Sequence, residues 1–130
     1  MLVVLLGGGI GAILRYLISG ILNKKYMPWG TFVVNVLGCF IFGIFVSFLS
    51  DPYNKLLLMT GFCGGFTTFT TFASETAHLF TGSKKDFIQG VTYLISSVVL
   101  GVFAMFVGMK FISFLFLYQF VYFFIFDRTT

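Results

Sequence analysis

Charge is the scarcest property of this 130-residue chain: 9% of residues are Asp, Glu, Lys or Arg, only four are acidic, and 58% are hydrophobic. At a mean hydropathy of +1.04, that shortage excludes a soluble domain, because a core of this size cannot hide so much apolar surface from water. Lipid must be the solvent for much of the chain. A bilayer core of ~30 Å takes about 20 apolar residues per helix, so the length allows a few spans and leaves no separate catalytic domain. The net charge of +4 comes from eight Lys and Arg. They fall mostly between apolar runs, as membrane-surface lysines do, with no basic cluster interleaved with aromatics to engage nucleic acid. Cys39 and Cys63 form neither a C-x-x-C motif nor a secreted disulfide framework, and both read as small buried hydrophobes. The first apolar run starts at Met1 without a positive n-region, contains Arg15, and is followed by Lys24 and Lys25 rather than a cleavage site, so it reads as a retained span.

Four apolar stretches are present, at 2–22, 31–50, 56–80 and 87–109. They predict an all-α membrane protein with four transmembrane helices per subunit, residues 1–110 forming the membrane unit and 111–130 an apolar C-terminal tail. The tail is shorter than a normal span. It fits an interfacial helix, a strained fifth span or an extension of the fourth helix. The breaks are short. Pro28 is suited to starting a helix and Trp29 to the water interface; Asp51-Pro52-Tyr53-Asn54 reads as a turn; Asp86 is a candidate cap for the fourth span. Lys24, Lys25, Lys84 and Lys85 would face one compartment, and Lys55 and Lys110 the other. That weak bias permits insertion both ways round, and hence an antiparallel dual-topology homodimer; a single orientation set by those four lysines is the alternative.

The third stretch carries the chemistry. Residues Thr60 to Phe72 crowd glycines, hydroxyls and phenyl rings into mid-membrane. Gly61 and Gly65, four apart, allow close helix approach, and Gly64-Gly65 lowers the cost of a break. Irregular backbone at this depth survives only when buried in protein or lining a polar cavity. The exposed carbonyls would suit a hard monovalent cation such as Na⁺, while a dry Gly/Thr helix interface is the plainer reading. Phe66, Phe69 and Phe72 recur every third residue beside a hydroxyl stripe of Thr67, Thr71 and Ser74. Such stripes usually mean core. Ring edges nevertheless carry partial positive charge, so a small anion passing edge-on between phenyls is attracted, and adjacent hydroxyls can replace part of its hydration shell. Thr31 and Asn35 on the second stretch, and Tyr93 and Ser97 on the fourth, are pairs four apart that present polar atoms on one side of each helix. Each alone would be helix glue. Together with the threonines they favour a hydrophilic track, which four short helices can hardly enclose without a second subunit. Arg15, well inside the first span, reads equally as a cationic vestibule that concentrates anions or as a snorkelled anchor. Glu75-x-x-His78 has the spacing of bundle metal sites, but one copy without a second carboxylate set makes no metal centre, and Glu75 reads as the mouth of the track or a bond to a neighbouring helix. The Gly7-x-Gly9-x-x-Ala12 match to a dinucleotide fingerprint is preceded by no strand and is discarded.

These residues resemble the Fluc/CrcB fluoride channel family over about residues 1–108. Gly8-Gly9-Ile10-Gly11-Ala12 with Arg15-Tyr16 looks like its first-span signature. Pro28-Trp29-Gly30-Thr31 followed by Val34-Asn35 and Gly38 is similar to its second, and Gly61 to Phe72 resembles its third almost residue for residue. The resemblance implies an antiparallel dual-topology homodimer with two pores in the plasma (inner) membrane, passing fluoride out of the cytoplasm passively and selectively over chloride, with no enzymatic step. It implies that Phe69 and Phe72 line the pore, that Asn35, Thr70 and Thr71 belong to its polar track, and that Tyr93 and Ser97 extend that track on the fourth span. It implies that Gly64 and Thr67 give carbonyls to a central structural Na⁺ that is not transported. Two departures are visible: Thr70 stands where the family often has Ser, and the tail beyond Lys110 is longer than usual.

Two other classes fit a chain of this size. A proton-coupled exporter of the small multidrug resistance type needs a carboxylate within the first span, where this chain has Arg15 and no acid. An accessory subunit whose glycines only pack helices would support no ion flux by itself.

Overall fold

The computed structural model describes residues 1–23 and 28–126, with the backbone alone at 120, 121 and 123–126. Lys24 and Lys25, two of the lysines invoked for orientation, lie outside the described residues. Four helical spans run through the molecule: Leu2–Leu22, Trp29–Phe48, Pro52–Phe80 and a fourth that starts at Lys84. The first is α1 (Leu2–Leu22) and the second α2 (Trp29–Phe48). The third is composite. It contains α3 (Pro52–Asn54), a wider π-helical stretch Lys55–Cys63, α4 (Gly64–Phe66) and, after an interruption, α5 (Phe69–Phe80). The fourth is α6, Lys84–Phe126, one uninterrupted helix of 43 residues.

Helix starts are set by side chains more than hydropathy and turn composition suggest. Asn23, at the end of α1, accepts hydrogen bonds on its Oδ1 from Gly30 N (2.7 Å) and Thr31 N (3.2 Å), so the first span caps the second. The segment expected to be a turn at Asp51–Asn54 is a helix start. Asp51 accepts from Asn54 N (2.9 Å) with Pro52 in the first helical position. At the start of α6 the cap is Ser83, not Asp86. Ser83 Oγ accepts from Asp86 N (3.4 Å) while Asp86 Oδ2 accepts from Ser83 N (2.9 Å), a reciprocal capping box.

Packing falls into two layers of contact: α1 lies along the π-helical stretch and α4, and α2 lies along α6. Both rest on glycine. A Cβ on Gly7 or Gly11 would run into the carbonyl oxygens of Leu57 or Phe62, and one on Gly65 into that of Gly8, so the first and third spans touch backbone to backbone. A Cβ on Gly43 would meet Met105 O, and one on Gly108 would meet Phe40 O, which gives α2 and α6 the same intimacy. Among the described residues the protein core is thin. It comprises Val34, Cys63, Phe66, Leu79 and Tyr93, with Thr31, Thr68 and Thr76 as buried polar members. Only 11% of the most apolar window of α1 is buried inside the chain. The large remaining apolar surface must meet lipid or another protein surface.

Candidate ion pathway

The third span is broken between Thr67 and Thr68. Thr67 has φ −78° and ψ 156°, and Thr68 has φ −142° and ψ 112°, both extended, after which α5 restarts at Phe69. Asn35 of α2 seals the break. Its Oδ1 accepts from Thr68 N (2.8 Å) and its Nδ2 donates to Thr68 O (3.2 Å), so one amide supplies both halves of a peptide-like pair. Thr68 also caps α5: its Oγ1 accepts from Thr71 N (3.2 Å) and donates to Thr71 Oγ1 (3.0 Å).

These bonds divert two amides. In an unbroken helix Thr68 N would bond Gly64 O and Thr71 N would bond Thr67 O. Asn35 takes the first and the Thr68 hydroxyl takes the second, so both carbonyls lose their helical donors. Gly64 and Thr67 also line one cavity of ≈ 270 Å³, together with Gly38, Cys39, Met59 and Cys63. Gly38 is required there because a Cβ would collide with Thr67 Cγ2. Thr67 keeps its own side chain in the preceding turn, donating from Oγ1 to Cys63 O (2.9 Å).

The break also splits the expected phenyl stripe. Phe66 belongs to α4, is buried, and stacks on Phe62 with centroids 5.6 Å apart and planes 9° from parallel. Phe69 and Phe72 belong to α5, with centroids 6.2 Å apart and planes inclined at 46°. The hydroxyl stripe divides in the same way, Thr67 falling before the break and Thr71 and Ser74 after it. Phe72 approaches the Tyr93 ring to 5.3 Å, whereas Phe69 is 80% exposed. Thr70 and Thr71 lie on the same exposed start of α5.

A turn further along, Glu75 joins three helices. Its Oε1 accepts from Thr31 Oγ1 of α2 (2.8 Å) and its Oε2 accepts from Tyr93 Oη of α6 (3.0 Å). Thr31 and Tyr93 are buried. The expected convergence of Thr31, Asn35 and Tyr93 on the third span is therefore present. Ser97, one turn beyond Tyr93, has the one buried side-chain polar atom, its hydroxyl, without a hydrogen-bond partner among the described residues. His78 is exposed, no metal-binding cluster of His, Cys, Asp or Glu forms among the described residues, and Glu75 is committed to hydroxyls. Arg15 is half-buried on α1 and takes part in none of these bonds; its carbonyl accepts from Ser19 Oγ (2.7 Å).

Sequence reasoning missed Thr68, which shares its neighbourhood with three other threonines of equal standing. The usable signal was cap spacing, a Thr three residues before the Thr71 amide that it receives. Glu75 was legible as a helix linker; its two partners were not.

The profile of the CrcB-like protein family, described as Camphor Resistance (CrcB), matches residues 2–109. The chain is 41% identical over 116 residues to the fluoride-specific ion channel FluC of Phocaeicola vulgatus, covering 83% of this chain and 93% of that one. It is 40% identical to the protein of the same name from Rhizobium etli, covering 83% and 91%, and 38% identical to that of Flavobacterium psychrophilum, covering 80% and 89%. The four apolar spans and these matches define a multi-pass protein of the plasma membrane whose relatives are ion channels rather than enzymes. The chain belongs to the CrcB family.

Proposed function

We propose that this chain is a subunit of a fluoride-selective channel, an antiparallel dual-topology homodimer that lets fluoride leave the cytoplasm passively through two pores. The observation that carries the reading is the sealed break in the third span. It holds Phe69 and Phe72 at the start of α5 together with Thr70 and Thr71, next to Thr68, whose N–H and C=O both pair with the Asn35 amide; irregular backbone at membrane depth survives only where it is bound by protein or lines a polar cavity. The names of the relatives, fluoride-specific ion channels, support the ion.

Dehydrating fluoride is the barrier that the site must offset. Phenyl edges at Phe69 and Phe72 and hydroxyls at Thr70 and Thr71 supply fixed partial positive charge without a formal cation, which favours a small anion while holding it weakly enough to leave. Ser97 Oγ, buried and without a partner, offers a further donor in line with Tyr93. The 80% exposure of Phe69 fits a pathway walled by a second subunit. Arg15 serves as a vestibule charge that raises local anion concentration.

The carbonyls of Gly64 and Thr67 fit a structural Na⁺, because both have lost their helical donors and both residues line the same cavity. A bound Na⁺ would supply positive charge to these two oxygens at the end of the first half of the span. The direct test is efflux from liposomes loaded with fluoride or chloride. Fluoride efflux with chloride retained is expected; equal fluxes, or none, would refute the assignment.

A further inference from the structure

The cavity lined by Gly64 and Thr67 carries a second chemistry that anion passage does not use. At ≈ 270 Å³ it has far more room than the ~15 Å³ that one water needs, so a Na⁺ at the two carbonyls leaves it largely unfilled. Four of its other lining residues bear sulfur: Cys39 of α2, Met59 and Cys63 of the π-helical stretch, and Met105 of α6. They are both cysteines of the chain and two of its five methionines. Helix packing delivers them from three elements. A Cβ on Gly101 would lie 3.3 Å from Cys39 Sγ, so that thiol is directed at α6. Met105 follows Gly101 by one turn, and its carbonyl oxygen abuts Gly43, one turn after Cys39, so Cys39 and Met105 belong to the same glycine-mediated contact. Met59 precedes Cys63 by about one turn on the third span. Both thiols are free, and a charge on one would be felt at the other.

Sulfur side chains that serve only as packing close the space between helices, because unfilled volume forfeits contacts. Here they border open volume instead. Thiolate and thioether are soft ligands that select ions such as Cu⁺, whereas hard cations take oxygen. We propose that Cys39, Cys63, Met59 and Met105 form a binding site for a soft monovalent metal ion of the Cu⁺/Ag⁺ class. On binding, the metal forms a bond to one thiol sulfur, whose proton leaves to solvent, and the second thiol and the thioethers donate as neutral ligands. One thiolate and one monovalent ion leave no net charge, which suits membrane depth; a divalent ion would require both thiols to ionise. The bound ion ties α2, α6 and the third span just before its break. Hard Na⁺ takes the oxygens and the soft ion takes the sulfurs, so the site stands whether or not Na⁺ occupies the carbonyls and whichever anion the channel carries.

Silver nitrate added to the purified full chain in detergent and chloride-free buffer is the probe, since Ag⁺ needs no reductant. After desalting, silver is counted per subunit by mass spectrometry, and its neighbours are read from X-ray absorption fine structure. The parent should retain about one Ag⁺ per subunit through sulfur. M59L and M105L keep the side-chain volume and lose the thioether, so each should weaken retention at least about tenfold, the equivalent of about 1.4 kcal/mol. M109L, outside the cavity lining, should bind like the parent. Cys39→Ser combined with Cys63→Ser should abolish retention; if that variant does not fold, the methionine variants carry the test. Ag⁺ should also raise the detergent-unfolding midpoint of the parent more than that of M59L or M105L. No silver in the parent would mean that the sulfurs are shut away from metal, and equal retention by M59L and M105L would reduce the site to ordinary thiol reactivity; both results overturn the proposal. Fluoride efflux from liposomes without silver reports separately on the channel assignment.

Discussion

Replacing Asn35 by Ala removes the only side chain seen to hold both polar groups of Thr68. Two bonds are lost, Thr68 N to Oδ1 at 2.8 Å and Nδ2 to Thr68 O at 3.2 Å. Interhelical hydrogen bonds in membranes average about 0.6 kcal/mol each, which sets a lower bound of about 1 kcal/mol for the pair. The upper bound comes from the Thr68 amide, buried with no acceptor, which costs about 1–3 kcal/mol beyond the roughly 1 kcal/mol of the other bond. A loss of about 1–4 kcal/mol is therefore expected. The functional loss should exceed what stability alone dictates, because the freed amide can return to Gly64 O, rewinding the break and turning Phe69 away from its present direction. Two measurements separate the effects: detergent unfolding followed by the single Trp29, and liposome fluoride efflux at a temperature where the variant stays folded. Asn35→Asp keeps the acceptor and the shape but, when ionised, cannot donate to Thr68 O, so it should fall between Ala and the parent. Parent-like unfolding and parent-like efflux in Asn35→Ala would refute the view that this amide holds the break.

Three further outcomes are expected from the same geometry. Phe69→Ile and Phe72→Ile should each lower fluoride efflux at least about tenfold, the equivalent of about 1.4 kcal/mol at the barrier, while eluting from gel filtration like the parent; unchanged flux would make the rings packing only. Glu75→Ala leaves the buried Thr31 and Tyr93 hydroxyls without their acceptor, so it should destabilise the fold by about 1–3 kcal/mol, and T31V placed on top of it should cost less than T31V alone when read by detergent unfolding. Gly65→Ala puts a methyl against the Gly8 carbonyl, and a loss of expression or a fall in unfolding midpoint is expected, whereas Gly9→Ala, with open space around its Cβ, should be tolerated.

Much of the architecture is legible in the residues alone. Hydropathy places four spans, because lipid demands about 20 apolar residues per crossing, and the observed limits of α1 coincide with the apolar run that predicts it. A break in the third span is announced by so many flexible and hydroxylated residues at that depth, but its place is not: Gly64 and Gly65, the pair expected to carry it, stay helical, and the chain breaks at Thr67–Thr68, where Asn35 takes the Thr68 amide. At the far end of the fourth span the residues allow an interfacial helix, a fifth span or an extension of the fourth helix, and the structure shows the extension, because no breaker residue separates 109 from 111 and Lys110 is a good helix former.

What sequence by itself determined is the solvent and the parts: a lipid-embedded α-helical chain, glycines where helices must touch, and donors and rings gathered in one span. Partnership was decided by folding. Periodicity cannot tell that Phe66 leaves the stripe of Phe69 and Phe72, that Thr68 rather than its neighbours caps α5, or that Asn35, 33 residues away in the chain, takes the amide that Gly64 would otherwise receive. The physical reason is that a hydrogen bond depends on distance and direction between atoms brought together by helix packing, whereas a sequence pattern constrains only which face of a single helix each residue occupies.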